Sequence, residues 1–314
     1  MTDIEERRSR ARASDFHPDV LRLFDQYVHG LIDRRGFLER AAHFTVAGGS
    51  AVALLEALSP RFAEAQQIAP QDKRLHTETV EVPSPRGYGK LRGYLAKPVK
   101  VAGRLATVLV VHENRGLNPH IEDVTRRLAL EQFIAFAPDA LLPLGGYPGD
   151  EDKARELFAK LDQEKTREDF VAATKFLKQH PEGNGRLGAA GFCYGGGVVH
   201  YLTTRLPDLD AAAAFYGMAP EPQKAATVKA ALLVHLAEQD ERINAAWPAY
   251  EAALKAAHAK FAVFKYPGTQ HGFHNDTTPR YDEKAAKLAW QRTLALFNRT
   301  LRKPLPRPSS DNPY

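Results

Sequence analysis

The chain has 314 residues, 44% of them hydrophobic and 26% charged, values that exclude a wholly disordered or collagen-like polymer and allow one large domain or two small ones. Its 43 Lys+Arg against 38 Asp+Glu leave a net charge of +5, and the basic residues form no stripe with interleaved aromatics, so nucleic acid is not an expected partner. With a single cysteine there is no intramolecular disulfide and no cysteine-based metal cluster; Cys193 is either a small buried apolar residue or a nucleophile.

In chain order, the first 65 residues read as an address. Asp33-Arg34-Arg35-Gly36-Phe37-Leu38 sets two arginines before an aromatic and a leucine, and a moderately apolar run from Ala41 to Leu58 follows, a pattern that resembles a twin-arginine export signal. His43, Gly48, Gly49 and Glu56 make that run a poor permanent membrane span. Ala63-Glu64-Ala65 supplies a small-x-small site for a signal peptidase. The expectation is therefore a signal region over 1–65, cleavage after Ala65, passage through the twin-arginine machinery and a periplasmic or secreted product. An amphipathic helix carrying a chance Arg-Arg pair is the competing reading.

From Leu75 the chain alternates short β-rich runs with helical stretches. Leu75–Val82 and Leu91–Lys97, on either side of Pro85-Arg86-Gly87-Tyr88-Gly89, read as an antiparallel hairpin. Continuous apolar runs at Ala106–Val111, Ile134–Ala137, Leu187–Phe192, Ala211–Phe215, Ala230–Leu236 and Phe261–Tyr266 have the length of strands buried on both faces. Helical segments are predicted near Ile121–Gln132, Glu151–Leu161, Glu168–Gln179, Gly196–Thr204, Ala245–Ala259 and Tyr281–Phe297. This alternation predicts an α/β fold, a mostly parallel sheet with helices on both faces and chemistry in the loops at the strands' carboxyl ends.

One such loop holds Gly191-Phe192-Cys193-Tyr194-Gly195-Gly196, a strand-to-helix turn with the pattern of a nucleophile elbow in which cysteine takes the serine position. The following helix would favour thiolate at its N-terminus. A phosphate-binding turn would want Gly-Lys-Ser/Thr, which is absent. The partners follow in the order nucleophile, acid, histidine. Asp240, with Glu238 as competitor, lies beyond the run Ala230–Leu236, and His271, with His274 as competitor, lies beyond Phe261–Tyr266. Glu113, in His112-Glu113-Asn114-Arg115-Gly116 at the end of another strand, has either a catalytic partner or an ion pair with Arg115. Backbone N–H groups of Asn114 and Tyr194 are placed to form an oxyanion hole. A metal held by His271 and His274 lacks a third ligand in the sequence.

The stretch His112–Ala129 (HENRGLNPHIEDVTRRLA), the cysteine elbow, Asp240 and His271-Gly272-Phe273 together resemble the dienelactone hydrolase family, also called carboxymethylenebutenolidases. The resemblance spans roughly Leu75 to Arg299. It implies an α/β-hydrolase domain over 66–299; the residues beyond it, 300–314, read as a Pro-rich tail. It also implies a Cys193–Asp240–His271 triad without cofactor or metal, Glu113 holding the resting thiol, and turnover of a small-molecule ester or lactone through an acyl-enzyme. Where the family carries dienelactone-binding arginines, this chain reads Ala137-Pro138-Asp139-Ala140-Leu141-Leu142-Pro143 and His271-Gly272-Phe273-His274-Asn275, with no arginine in either. Arg115, Arg280 and Phe273 are the residues left as candidates for meeting substrate. Two other classes stay open: a hydrolase-fold protein that binds without turnover, and a thiol redox protein using Cys193 alone.

Overall fold

The computed structural model describes residues 11–45, 49–101 and 103–302. Eight strands form one sheet: β1 (Leu75–Ser84), β2 (Gly89–Pro98), β3 (Leu105–Val111), β4 (Ile134–Pro138), β5 (Gly183–Phe192), β6 (Ala211–Phe215), β7 (Ala231–Gln239) and β8 (Phe261–Gln270). Their spatial order is β1-β2-β4-β3-β5-β6-β7-β8. β1 and β2 form the expected antiparallel hairpin, β2 also runs antiparallel to β4, and every pairing from β4 onward is parallel. The α/β-hydrolase architecture expected from the sequence is thus present.

Ten α-helices accompany the sheet among the described residues: α1 (Pro18–Val28), α2 (Arg34–Ala41), α3 (Ala51–Leu58), α4 (Phe62–Ala65), α5 (Pro119–Leu130), α6 (Glu151–Phe158), α7 (Gln163–Lys178), α8 (Tyr194–Arg205), α9 (Glu241–Ala256) and α10 (Glu283–Leu301). Because successive strand residues point to opposite faces, the unbroken apolar run of β3 serves two cores at once. Leu109 and Val111 pack with Phe170 and Leu177 of α7, Leu202 of α8 and Tyr250 of α9. Val108 and Val110 pack with Ile121 and Leu128 of α5 and Phe297 of α10. Alanines fill four of the five positions of β6, so helices approach both faces closely. Helix α10 runs to Leu301, two residues past the expected domain limit, and the rest of the expected tail, from 303, lies outside the described residues.

The N-terminal segment has a core of its own. Val20, Leu21, Phe24, Tyr27 and Val28 of α1 close on Phe37 and Ala41 of α2 and on Leu55 and Leu58 of α3. Pro18 opens α1 where a missing N–H costs nothing, and the His17 ring accepts from Asp19 N at 3.2 Å. Asp33 caps α2, accepting from Gly36 N at 2.7 Å. The residues that carry the expected export pattern therefore also build packed helices. Arg34 pairs with Asp152 at 3.1 Å, Arg35 with Glu39 at 2.7 Å, and Phe37 is fully buried. No described helix is long and apolar enough to cross a membrane.

This segment is fastened to the sheet domain at many points. Backbone bonds run from Ala13 N to Pro279 O and from Arg61 N to Thr277 O, both at 2.8 Å. The Arg155 guanidinium stacks 3.9 Å from the Tyr27 ring centroid, and Tyr27 donates to Asp152. Asn114 Nδ2 donates to Val28 O at 2.8 Å. Asp25 accepts from Arg280 Nη1 at 3.2 Å.

Candidate active site

β5 delivers Phe192 to the sheet's carboxyl edge, and the chain turns through Cys193 at φ 54° and ψ −113°, a backbone conformation that L-residues rarely adopt. The surrounding glycines make that turn possible. A Cβ at Gly191 would overlap the Gly195 carbonyl, and one at Gly195 would overlap the Val111 carbonyl. Cys193 N donates to Phe215 O at 3.0 Å, which anchors the turn to the end of β6. Tyr194 starts α8, so its N–H belongs to the first turn, where the helix has no carbonyl to offer.

Asp240 ends the β7 loop and caps α9. Its Oδ2 lies 2.6 Å from His271 Nδ1, in the loop after β8, and both side chains are buried. Glu238, the competing acid, is exposed and accepts from Gly268 N at 2.7 Å. His274, the competing base, is buried between Phe192 and Trp290 with ring centroids 5.1 and 5.6 Å away. The geometry therefore selects Asp240 and His271 as the pair, with His271 Nε2 buried and lacking a hydrogen-bond partner among the described residues.

A second histidine occupies the site that the sequence reading did not include. His29, just past α1, sets Nε2 3.4 Å from Cys193 Sγ, and its ring meets the His271 ring edge-on at 4.7 Å between centroids. Ligating atoms of His29, Cys193 and His271 lie within 4.8 Å of one another. Burial would push the Cys193 thiol up, but the His271 and His29 imidazoles outweigh it and bring it down to about 6. For His271, burial opposes a charge, and the sulfur together with the Asp240 hydrogen bond overcomes it, raising the imidazole to about 10. These charges favour a thiolate beside a protonated His271, whose ring Asp240 orients through Nδ1.

Other expected roles change on contact with the geometry. Glu113, expected on the resting thiol, accepts from Asn275 Nδ2 at 2.9 Å, and the side chain hydrogen-bonded to Sγ is His29. Arg115 is buried and engaged with Glu151 at 2.9 Å and Asn114 Oδ1 at 2.7 Å, and these, in place of the expected Glu113, are its partners. Arg280 is buried against Asp25 and the Phe24 ring. Phe273 is fully buried between Tyr216 and Tyr266 and presents no face to a ligand. Asn114 stands at the mouth of β3 as expected for an oxyanion-hole residue, and its side chain is committed to Val28 O. Cys193 retains 7% of its surface and His271 4%. A cavity of about 310 Å³, lined by Arg12, Arg61, Glu64 and Tyr281 among others, opens between the N-terminal segment and residues 276–283 without reaching Cys193.

A sequence model of the dienelactone hydrolase family matches residues 91–301. The chain belongs to that family. Dienelactone hydrolase relatives cover the sheet domain: a protein of Synechocystis named "Putative carboxymethylenebutenolidase" is 32% identical over 243 residues, 72% of this chain and 98% of the relative. A "Putative hydrolase fragment YghX" of Escherichia coli K12 is 51% identical over 113 residues, 36% of this chain and 97% of the relative. Among solved structures, a "Putative Dienelactone Hydrolase" from Klebsiella pneumoniae superposes with a TM-score of 0.63 at 30% identity, covering 71% of this chain and 98% of that one. A separate family model, described as YqhI-like, matches residues 8–46, the part that carries α1, His29 and α2.

Proposed function

We propose that the protein hydrolyses an ester or lactone through nucleophilic attack by Cys193, with an acyl-enzyme intermediate. Membership of the dienelactone hydrolase family makes it an ester or lactone hydrolase; the mechanism rests on one observation in particular. Cys193 sits in a strained elbow, with the buried His271–Asp240 pair, joined at 2.6 Å, brought to it from two other loops. A non-glycine residue held at positive φ is costly to maintain, and such residues cluster at functional sites.

In the reaction the Cys193 thiolate attacks the carbonyl carbon, and the negative charge that develops on oxygen meets the backbone N–H groups of Asn114 and Tyr194. As the carbon–oxygen bond to the leaving group breaks, that oxygen takes a proton from His271. Water then attacks the thioester, His271 accepts the water's proton, and sulfur departs as thiolate while the acid leaves. Asp240 holds Nδ1 protonated throughout, so Nε2 faces the reaction. The two loop sequences without arginine support an ester or lactone other than dienelactone itself as the substrate.

A chromogenic short-chain ester tests this directly. Wild-type protein should release about one equivalent of chromophore in a burst before a slower steady state, and Cys193→Ala should remove both phases while leaving the fold intact. Retained turnover in Cys193→Ala would sink the assignment.

A further inference from the structure

The N-terminal segment ends its first helix at the catalytic sulfur. Helix α1 is held down by Asp25 on Arg280, by Val28 O on Asn114 and by Tyr27 on Arg155, and these contacts present His29 to Cys193 beside the sheet domain's own histidine. The His29 ring is oriented from behind. Nδ1 lies 2.7 Å from Asp25 O and 3.3 Å from Asp25 Oδ2, so it carries a proton and Nε2 is left to face Sγ at 3.4 Å. Two aspartate–histidine pairs, Asp25–His29 and Asp240–His271, thus converge on one sulfur atom.

We propose that His29 is a fourth catalytic residue, supplied by the N-terminal segment, which holds Cys193 as a thiolate in the resting enzyme and leaves His271 free to work on the leaving group and on water. The division of labour follows from the charges around the atom. His29 is faced by Asp25 on its own element, by Cys193 and His271 across the site, and by Arg242 of α9, whose Nη2 lies 3.0 Å from His29 Nε2. Behind these stand Asp240 on His271 and Arg280 on Asp25. Arg242 adds a fixed positive charge at this corner, which favours an anion there. Nε2 accepts from Arg242 while His29 is neutral and turns a proton to Sγ when the ring is charged. Burial opposes a charge on His29, yet the sulfur and the Asp25 bond raise its pKa; burial likewise opposes a charge on Asp25, but the His29 hydrogen bond and the charges of His271, His29 and Arg280 hold its carboxyl well below the carboxylate range. Cleavage after Ala65 would remove His29, so retention of the N-terminal segment in the working enzyme is part of the proposal. Export with the segment still attached remains compatible with it.

The test is a pH titration of thiolate ultraviolet absorbance on the full chain, with Cys193→Ser as blank. In His29→Gln the thiolate midpoint should move up by about one unit, leaving about tenfold less thiolate on the acid side. The acylation burst should slow by a similar factor. An unmoved midpoint in a folded His29→Gln protein overturns the proposal. Should that variant lose its fold, the reciprocal measurement decides. By linkage, removing the thiolate in Cys193→Ser must lower the His29 midpoint seen by ring NMR, and identical His29 midpoints in wild type and Cys193→Ser overturn it. Intact mass of the active protein should include residues 11–65; an active enzyme beginning at Gln66 with an unchanged thiolate midpoint would also overturn it. The inference rests on Cys193 being the nucleophile. That reading fails separately, through turnover in Cys193→Ala, and needs no titration to do so.

Discussion

At the scale of single residues, Asp240 and Glu238 make a clean contrast. Glu238 lies in the last residues of β7 and Asp240 just beyond it, but Asp240 is buried on His271 Nδ1 at 2.6 Å whereas Glu238 accepts a backbone bond at the surface. Asp240→Asn keeps the shape and loses the charge that fixes the imidazole tautomer, so kcat should fall by about 10²–10⁴-fold, while Glu238→Gln should stay close to wild type. Steady-state rates that fall equally in both would reverse the assignment. The pH profile follows from the same groups. Below about 6 the Cys193 thiol regains its proton, and above about 10 His271 loses the proton it gives to the leaving group, so ester hydrolysis should hold a plateau between those values. A rate still climbing through pH 8 to 9, as for an ordinary thiol, would mean that no such ion pair exists. The elbow, Asp240 and His271 were legible because each follows a strand in a fixed order that the chemistry demands. Glu113 was misplaced because its partner, Asn275, comes from a loop 162 residues away, a separation that carries no sequence signal.

At the scale of elements, the strands read true because a continuous apolar run of strand length between turns has few other folded uses. β5, β7 and β8 nevertheless extend beyond their apolar runs, into residues that carry no apolar strand signal. The helices of the N-terminal segment were harder to see. Val20, Leu21, Phe24, Tyr27 and Val28 have the spacing of one helical face, but the Arg-Arg pair and apolar run that follow suggested an address first. Phe37 ties these helices together, fully buried and in ring contact with Phe24 and Tyr27 at centroid distances of 6.3 and 5.6 Å. Phe37→Ala should cost about 3–5 kcal/mol, and the loss should fall on α1–α3 rather than on the sheet, whose core is separate. Limited proteolysis should then cut within residues 11–65 while the sheet domain survives. Cuts appearing first in the sheet domain would show that the two cores are one cooperative unit.

At the scale of the whole molecule, two sequence modules meet at a single atom: the part matched by one family model, 91–301, carries the cysteine turn and the Asp240–His271 pair, and the part matched by another, 8–46, carries the helix that covers them. No reading of either module by itself finds the contact, because His29 and Cys193 are 164 residues apart and only docking brings them together. The consequence is a sulfur with 7% of its residue's surface exposed, and entry past the N-terminal segment is the expectation to test. Arg280 is the place to loosen that segment, since its guanidinium holds Asp25 at 3.2 Å and lies 5.1 Å from the Phe24 ring centroid. A hydrogen bond to a charged group contributes about 1.5–3 kcal/mol, so Arg280→Gln should raise the population in which α1 has lifted by about tenfold or more. A small aryl acetate reports whether the neighbouring His271 loop still works, and a bulky acyl ester reports access. The ratio of kcat/KM for the bulky ester to that for the small one should therefore rise in Arg280→Gln, mainly through KM. If both esters change by the same factor, α1 does not control entry, and substrate reaches Cys193 by a path that leaves the N-terminal segment seated.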